Sequence, residues 1–234
     1  MIILFVTLIV SAYLFSSLPA AQIMAKVVKG VDLKQFGSGN VGASNLVRAT
    51  SRRTAIPVII FDFVKGLLAV LLAKWLGMDA YQQVVVGLAA IAGHNWPVFL
   101  GFSGGRGILT SLGVVAAFLP WAAVITLAIA ALFTLFRQVA LGVLVAAAAL
   151  PLEGWLFGDA TRLPYAMCLL AILAIVIFRR LTASTPPLAK PPPLRELLVN
   201  RLLFDRDIAD RQAWDNRLSS EHPSPAVRKG DRRP

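Results

Sequence analysis

Three places along this chain gather polar side chains among glycines, and that combination suits phosphate. The first is "GSGNVGASNLVR", residues 37–48, where Ser38, Asn40, Asn45 and Arg48 are set among Gly37, Gly39 and Gly42. The second is "DFVKG", in which Asp62 and Lys65 lie three residues apart, hence on one helical face where they can pair. The third is "GHNWPVFLGFSGGRG", residues 93–107, with His94 at its start and Arg106 between Gly105 and Gly107. In such a run Gly104, Gly105 and Gly107 let backbone N–H groups approach an anion, the helix that follows adds its dipole, and the Arg106 guanidinium presents a planar fork to phosphate oxygens. The residues also admit plainer readings: a turn with a topogenic arginine, an ion pair that only fixes helix packing, and for His94 a base, a donor or a packed interfacial ring.

Other chemistries are excluded by context. Gly37, Gly39 and Gly42 have the G-x-G-x-x-G spacing of a dinucleotide turn, with Asp62 twenty residues on. That fingerprint needs a buried strand before it and a helix after it. Here "VVKGVDLKQF", with two lysines and an aspartate, precedes the glycines and "TSRRTAIP" follows the loop, so nucleotide binding is set aside. Acyltransferases of the H-x-x-x-x-D type need a carboxylate shortly after the histidine, and "HNWPVFLGF" has none. With two histidines and no Cys/His/Asp/Glu cluster at ligand spacing, neither a metal nor a cofactor is expected. The single cysteine, Cys168, sits in an apolar run as a small buried hydrophobe.

The elements that must position these residues are apolar helices. Of 234 residues, 57% are hydrophobic and 15% charged, where a soluble domain carries about 25% charged residues. Mean hydropathy is +0.72. The 23 Lys+Arg against 12 Asp+Glu, a net charge of +11, suit anionic headgroups or phosphate-bearing substrates, and nucleic acid is not expected as a partner. Apolar runs fall at 2–23, 54–77, 82–101, 108–119, 121–136, 138–158 and 164–178, the fourth and fifth separated by "LPW" at Leu119 to Trp121. Seven crossings place Lys26, Lys29, Lys34, Arg48, Arg52, Arg53, Arg106, Arg137, Arg179 and Arg180 on one face, which the positive-inside rule makes cytoplasmic, with the N-terminus outside. The N-terminal run lacks a basic segment ahead of it and reads as a retained helix rather than a signal peptide. The expected fold is an all-α integral membrane protein of seven transmembrane helices, some short, with cytoplasmic glycine-rich loops. A membrane body over 1–181 is followed by a proline-rich linker, 182–193, an amphipathic cytoplasmic helix, 194–218, and a disordered basic tail, 219–234.

With these motifs in this order, the chain resembles the bacterial membrane glycerol-3-phosphate acyltransferases that use acyl phosphate as donor, the PlsY type. Ser38, Gly39, Asn40, Gly42, Asn45 and Arg48 match that family's S-G-N-x-G-x-x-N-x-x-R loop, and Asp62, Lys65 and Gly66 match D-x-x-K-G. Gly93, His94, Pro97, Val98, Phe99, Phe102, Gly104, Gly105 and Gly107 match G-H-x-x-P-V-F-x-x-F-x-G-G-K-G. The resemblance implies transfer of a fatty acyl group from acyl phosphate to the sn-1 hydroxyl of glycerol 3-phosphate, giving lysophosphatidic acid and phosphate in phospholipid synthesis. It implies a multi-pass protein of the bacterial cell membrane among membrane lipids, with a cytoplasmic site and a soluble enzyme supplying acyl phosphate. Ser38, Arg48, Lys65, His94 and Arg106 are then the catalytic candidates, and Gly39, Asn40, Gly42, Asn45, Gly104, Gly105, Gly107 and Arg179 the substrate-binding ones. On this reading the Ser38–Asn45 loop and Arg48 seat glycerol 3-phosphate, while the loop around Arg106 binds the acyl-phosphate head.

Two departures stand out. Arg106 occupies the place of the family's lysine, which keeps the charge and changes the geometry. At the end of the last helix, "FRRLTAST" stands where the family has R-H-x-x-N-I: Arg179 fits the arginine, but Arg180 replaces the histidine and Ala183 the asparagine, with Asn200 and Arg201 of the tail as candidate replacements. The competing readings are a transporter of a phosphorylated solute, against which the chain shows no pair of similar halves, and a catalytically impaired family member acting as a scaffold.

Overall fold

The computed structural model describes residues 1–157, 161–182, 192–210 and 212–214. Most of the expected linker, with Ala183, and all of the expected basic tail 219–234 lie outside the described residues. Regular structure among the described residues is helical: α1 (Ile2–Ser16), α2 (Ala20–Lys29), α3 (Ala43–Ala49), α4 (Arg52–Trp75), α5 (Ala80–Asn95), α6 (Ile108–Phe118), α7 (Pro120–Leu135), α8 (Val139–Phe157), α9 (Arg162–Leu181) and α10 (Leu194–Phe204). Among the described residues, five stretches are long and apolar enough to cross a membrane: Ile2–Lys29, Arg52–Trp75, Ala80–Leu100, Val139–Leu156 and Arg162–Leu181. Ile108–Phe118 and Pro120–Leu135 are apolar but shorter.

Prolines set two of the breaks. Pro120 has no N–H and a fixed φ, so it is tolerated as the first residue of α7, and Leu119 ends α6 where the "LPW" interruption was expected to divide the run. The N-terminal run, expected as one helix over 2–23, is divided at Ser17–Pro19, because a residue preceding proline is pushed out of helical conformation. The tail helix expected over 194–218 stops at Phe204. Asp205 there adopts the left-handed conformation, φ 58°, and a separate helical turn at 212–214 is capped by Asp210, whose carboxylate accepts from the N–H groups of Gln212 (2.7 Å) and Ala213 (2.9 Å). Those two donors hold the Asp210 carboxyl below the usual carboxylate range.

The chain forms two compact units. One comprises Met1–Pro19 and Ile59–Arg179; the other comprises Ala20–Val58 and Arg180–Pro234. In the first, Val70, Ile91, Leu112, Val114, Leu150, Leu169 and Ile172 bring α4, α5, α6, α8 and α9 to a common core. Two glycines set the contact between α4 and α6: a Cβ on Gly66 would collide with the Thr110 carbonyl oxygen, and one on Gly113 with that of Phe63. Such backbone approach is how apolar helices gain packing energy where lipid supplies no hydrophobic drive. It also fixes α6, whose first turn follows the Gly104–Gly107 loop. In the second unit α2 packs on α3, and Gln22 ties down the intervening chain by donating to Asp32 Oδ1 (2.9 Å) and accepting from the Leu33 N–H (3.0 Å).

Gly66→Ala and Gly113→Ala should each destabilise the fold by about 1–3 kcal/mol through overpacking at the α4–α6 crossing. Thermal unfolding in detergent checks this, and an unchanged midpoint in both variants would contradict the close approach.

Candidate active site

The first unit contains a buried cation at a three-helix junction. Lys65 is 1% exposed, and its ammonium meets Asp62 Oδ1 at 2.8 Å, the Ser16 carbonyl oxygen at 3.1 Å and His94 Nδ1 at 2.8 Å. An ammonium has three hydrogens, so all three have acceptors, drawn from α1, α4 and α5. The expected Asp62–Lys65 pair is present, and the pairing is what makes a charge tolerable at this depth. Since lysine can only donate, His94 Nδ1 accepts, and the ring proton is assigned to Nε2. Asp62 Oδ1 lies 3.4 Å from the same Nδ1. Nε2 faces the glycine loop: a Cβ on Gly105 would collide with it.

The loop itself is held from two sides. The Gly104 N–H donates to the Asn95 carbonyl (3.2 Å) and the Gly105 N–H to the His94 carbonyl (3.2 Å). From α9, Arg179 Nη2 donates to the Gly104 oxygen (2.9 Å) and the Gly105 oxygen (2.9 Å), and its Nε also reaches Gly105 (3.1 Å). The guanidinium lies over the Trp96 ring, 5.5 Å from its centroid. Gly104 and Gly105 were expected to offer N–H groups to an anion; in this structure those groups serve the loop's own geometry. The donors beyond them are those of the first turn of α6, beside the half-buried Arg106. Gly107, at φ 71°, caps that helix against Asn95, whose amide a Cβ at 107 would strike.

Two polar residues here escaped sequence reasoning. Asn95 and Thr110 are both fully buried, and among the described residues neither Asn95 amide atom nor Thr110 Oγ1 has a hydrogen-bond partner. Their only signal in the sequence is polarity inside an apolar run.

In the second unit Asn45, fully buried, organises the other glycine loop. Its Nδ2 donates to the carbonyls of Phe36 (2.8 Å), Asn40 (3.0 Å) and Leu33 (3.2 Å), and its Oδ1 accepts from the Ser38 N–H (3.3 Å). Gly37 lies at φ 59° with no room for a Cβ beside Asn45 Oδ1, and Gly39 at φ 68°. Gly42 caps α3, Asn40 is half-buried, Ser38 is buried and Arg48 is exposed in the last turn of α3. No strand precedes this loop among the described residues, which sets it apart from a dinucleotide turn. The helix expected to be missing after it is present, since α3 follows Gly42 and α4 begins within "TSRRTAIP" at Arg52.

Residues 6–185 match a protein-family model described as glycerol-3-phosphate acyltransferase. Glycerol-3-phosphate acyltransferase 4 of Dehalococcoides mccartyi is 40% identical over 222 residues, covering 93% of this chain and 96% of its own length. Glycerol-3-phosphate acyltransferase 5 from another strain of that species is 42% identical over 224 residues, covering 94% and 96%. The crystal structure of PlsY, an integral membrane glycerol 3-phosphate acyltransferase, in its glycerol 3-phosphate form aligns with a TM-score of 0.69 at 34% identity, over 79% of this chain and 96% of that one. Its lysophosphatidic acid form aligns with a TM-score of 0.67 at 34% identity, over 75% and 87%.

Lys65→Met would leave the Asp62 carboxylate buried without its counter-charge and should cost about 3–5 kcal/mol. Lys65→Met combined with Asp62→Asn removes both charges and should recover part of that loss in a detergent melt; no recovery would contradict the pairing.

Proposed function

This chain belongs to the glycerol-3-phosphate acyltransferase family, and on that premise we propose that it transfers a fatty acyl group from acyl phosphate to the sn-1 hydroxyl of glycerol 3-phosphate. The observation that carries this reading is the Gly104–Gly107 loop, fixed by the carbonyls of His94 and Asn95 and by Arg179, with Arg106 at the start of α6. A rigid cationic turn of this kind holds a phosphate group at little further ordering cost.

In the proposed reaction the glycerol hydroxyl oxygen attacks the acyl carbonyl carbon, the bond from that carbon to the bridging oxygen breaks, and inorganic phosphate leaves with the bridging oxygen. The products are lysophosphatidic acid and phosphate. His94 is poorly suited to act as the base: Nδ1 is engaged by Lys65, and Nε2 already carries the proton. The ring is instead a donor aimed at the loop, and a substrate phosphate oxygen takes the hydroxyl proton. Arg106 holds the donor phosphate, and Lys65 acts by orienting His94. Ser38 and Arg48, with Gly39, Asn40 and Gly42, seat glycerol 3-phosphate on the loop that Asn45 shapes. We place the protein in the bacterial cell membrane with its N-terminus outside and its site cytoplasmic, supplied with acyl phosphate by a soluble enzyme; the distribution of Lys and Arg supports this orientation.

The purified protein, given palmitoyl phosphate and glycerol 3-phosphate, should form lysophosphatidic acid, followed by mass spectrometry, and release phosphate only when the acceptor is present. Absence of product would overturn the donor or acceptor assignment. Arg106→Ala should lower turnover by about 100-fold or more while the detergent melt is unchanged; near-normal turnover would remove Arg106 from the phosphate site.

A further inference from the structure

The structure assigns a role to the C-terminal segment 194–214: it is a brace that fixes the last turn of α9 and thereby the arginine that holds the glycine loop. Every helix ends with carbonyls that lack an intrahelical partner, and its last turn frays unless something satisfies them. Here two helix ends satisfy each other. Arg180, 3% exposed at the end of α9, donates from Nη1 to the Leu202 carbonyl of α10 at 2.6 Å. Arg201 of α10 donates from Nη1 to the Leu181 carbonyl of α9 at 3.0 Å. Both bonds have a charged donor, the stronger class of hydrogen bond, and a cation near a helix C-terminus also complements its dipole.

The brace has its own support. Arg201 Nε meets Asp207 Oδ1 at 2.7 Å, and Asn200 Nδ2 donates to the Asp207 carbonyl at 3.3 Å. Asn200, Asp207 and Trp214 are all buried. Asp205, in the left-handed conformation, returns its N–H to the Arg201 carbonyl at 3.1 Å, turning the chain so that Asp207 reaches back to α10. Asn200 and Arg201, offered by the sequence as substitutes for a missing motif, thus face the tail and the end of α9.

Arg179 immediately precedes Arg180 in the same helical turn, and its three bonds to the carbonyls of Gly104 and Gly105 depend on that turn keeping its register. Arg201 and Asp207 are therefore positioning residues, acting through α9 on the loop that Arg179 holds. The family match ends at residue 185, whereas the two Dehalococcoides mccartyi relatives align over 93% and 94% of this chain and so extend through the segment.

The test uses the full-length protein with Arg201→Ala, Asp207→Ala, the double variant and Arg201→Lys. Hydrogen–deuterium exchange at the Gly104 and Gly105 amides should quicken about tenfold in Arg201→Ala and Asp207→Ala, with no further gain in the double variant, because the two act as a unit. Arg201→Lys should restore part of the protection. The kinetic arm rests on the acyltransferase reading: kcat should fall about tenfold in Arg201→Ala while KM for glycerol 3-phosphate stays within about twofold. Faster exchange confined to 194–214, with the glycine loop unaltered, would overturn the brace. So would faster exchange spread equally over α5 and α8, which marks general loss of the fold. Failure of the wild-type protein to form product would strike the acyltransferase reading, and the exchange arm would still decide the brace.

Discussion

The first unit depends on one ammonium group. Lys65 is almost completely excluded from solvent and would be intolerable there as a lone charge, yet each of its hydrogens has an acceptor on a different helix. That requirement ties the end of α1, the middle of α4 and the end of α5 together with directional bonds, where apolar packing alone would allow sliding. It also sets the protonation of His94, because an obligate donor on Nδ1 leaves the proton on Nε2. A charge pair that resembles a stability feature therefore determines which hydrogen bond the imidazole can offer.

From His94 the constraint passes to the glycine loop. The loop is threaded between the carbonyls of His94 and Asn95 on one side and the guanidinium of Arg179 on the other, so its N–H groups and its C=O groups are oriented independently. Only residues without a Cβ fit: at 105 the imidazole occupies the space, and at 107 the Asn95 amide does. The glycines are there for close approach on every side, as well as for a turn.

Much of this was legible in the sequence. The i, i+3 spacing of Asp62 and Lys65 announced their pair, hydropathy located the apolar helices, and Pro120 marked the division between α6 and α7. Pro19 was equally informative but lay inside a long apolar run whose hydropathy concealed it. For Gly104 and Gly105 a sequence gives the presence of N–H groups and not their direction, so it suggests anion donors where the structure has bonds to Asn95 and His94. Asp205 ends α10 in a conformation usually taken by glycine, so no residue type signalled it. Arg179 and Arg180 look alike in sequence, yet successive residues project about 100° apart around a helix and so address different partners.

The length of α6 has a further consequence. Its 11 residues span about 16 Å, roughly half of a ~30 Å hydrocarbon core. A helix of that length set across the hydrocarbon would have an end at membrane depth unless the bilayer thinned around it, and irregular backbone survives there only if its polar groups are satisfied internally. The Gly104 and Gly105 groups are satisfied through His94, Asn95 and Arg179, and the Leu119 turn through Val115 and the N–H groups of Ala122 and Ala123, with Lys74 reaching the Ala117 carbonyl. The first-turn N–H groups of α6 are the exception, the donors open to an anion. For a helix so placed, hydrophobic mismatch comes with its length. Membrane thickness would then be part of this protein's working environment, since each added ångström of hydrocarbon costs a fraction of a kcal/mol.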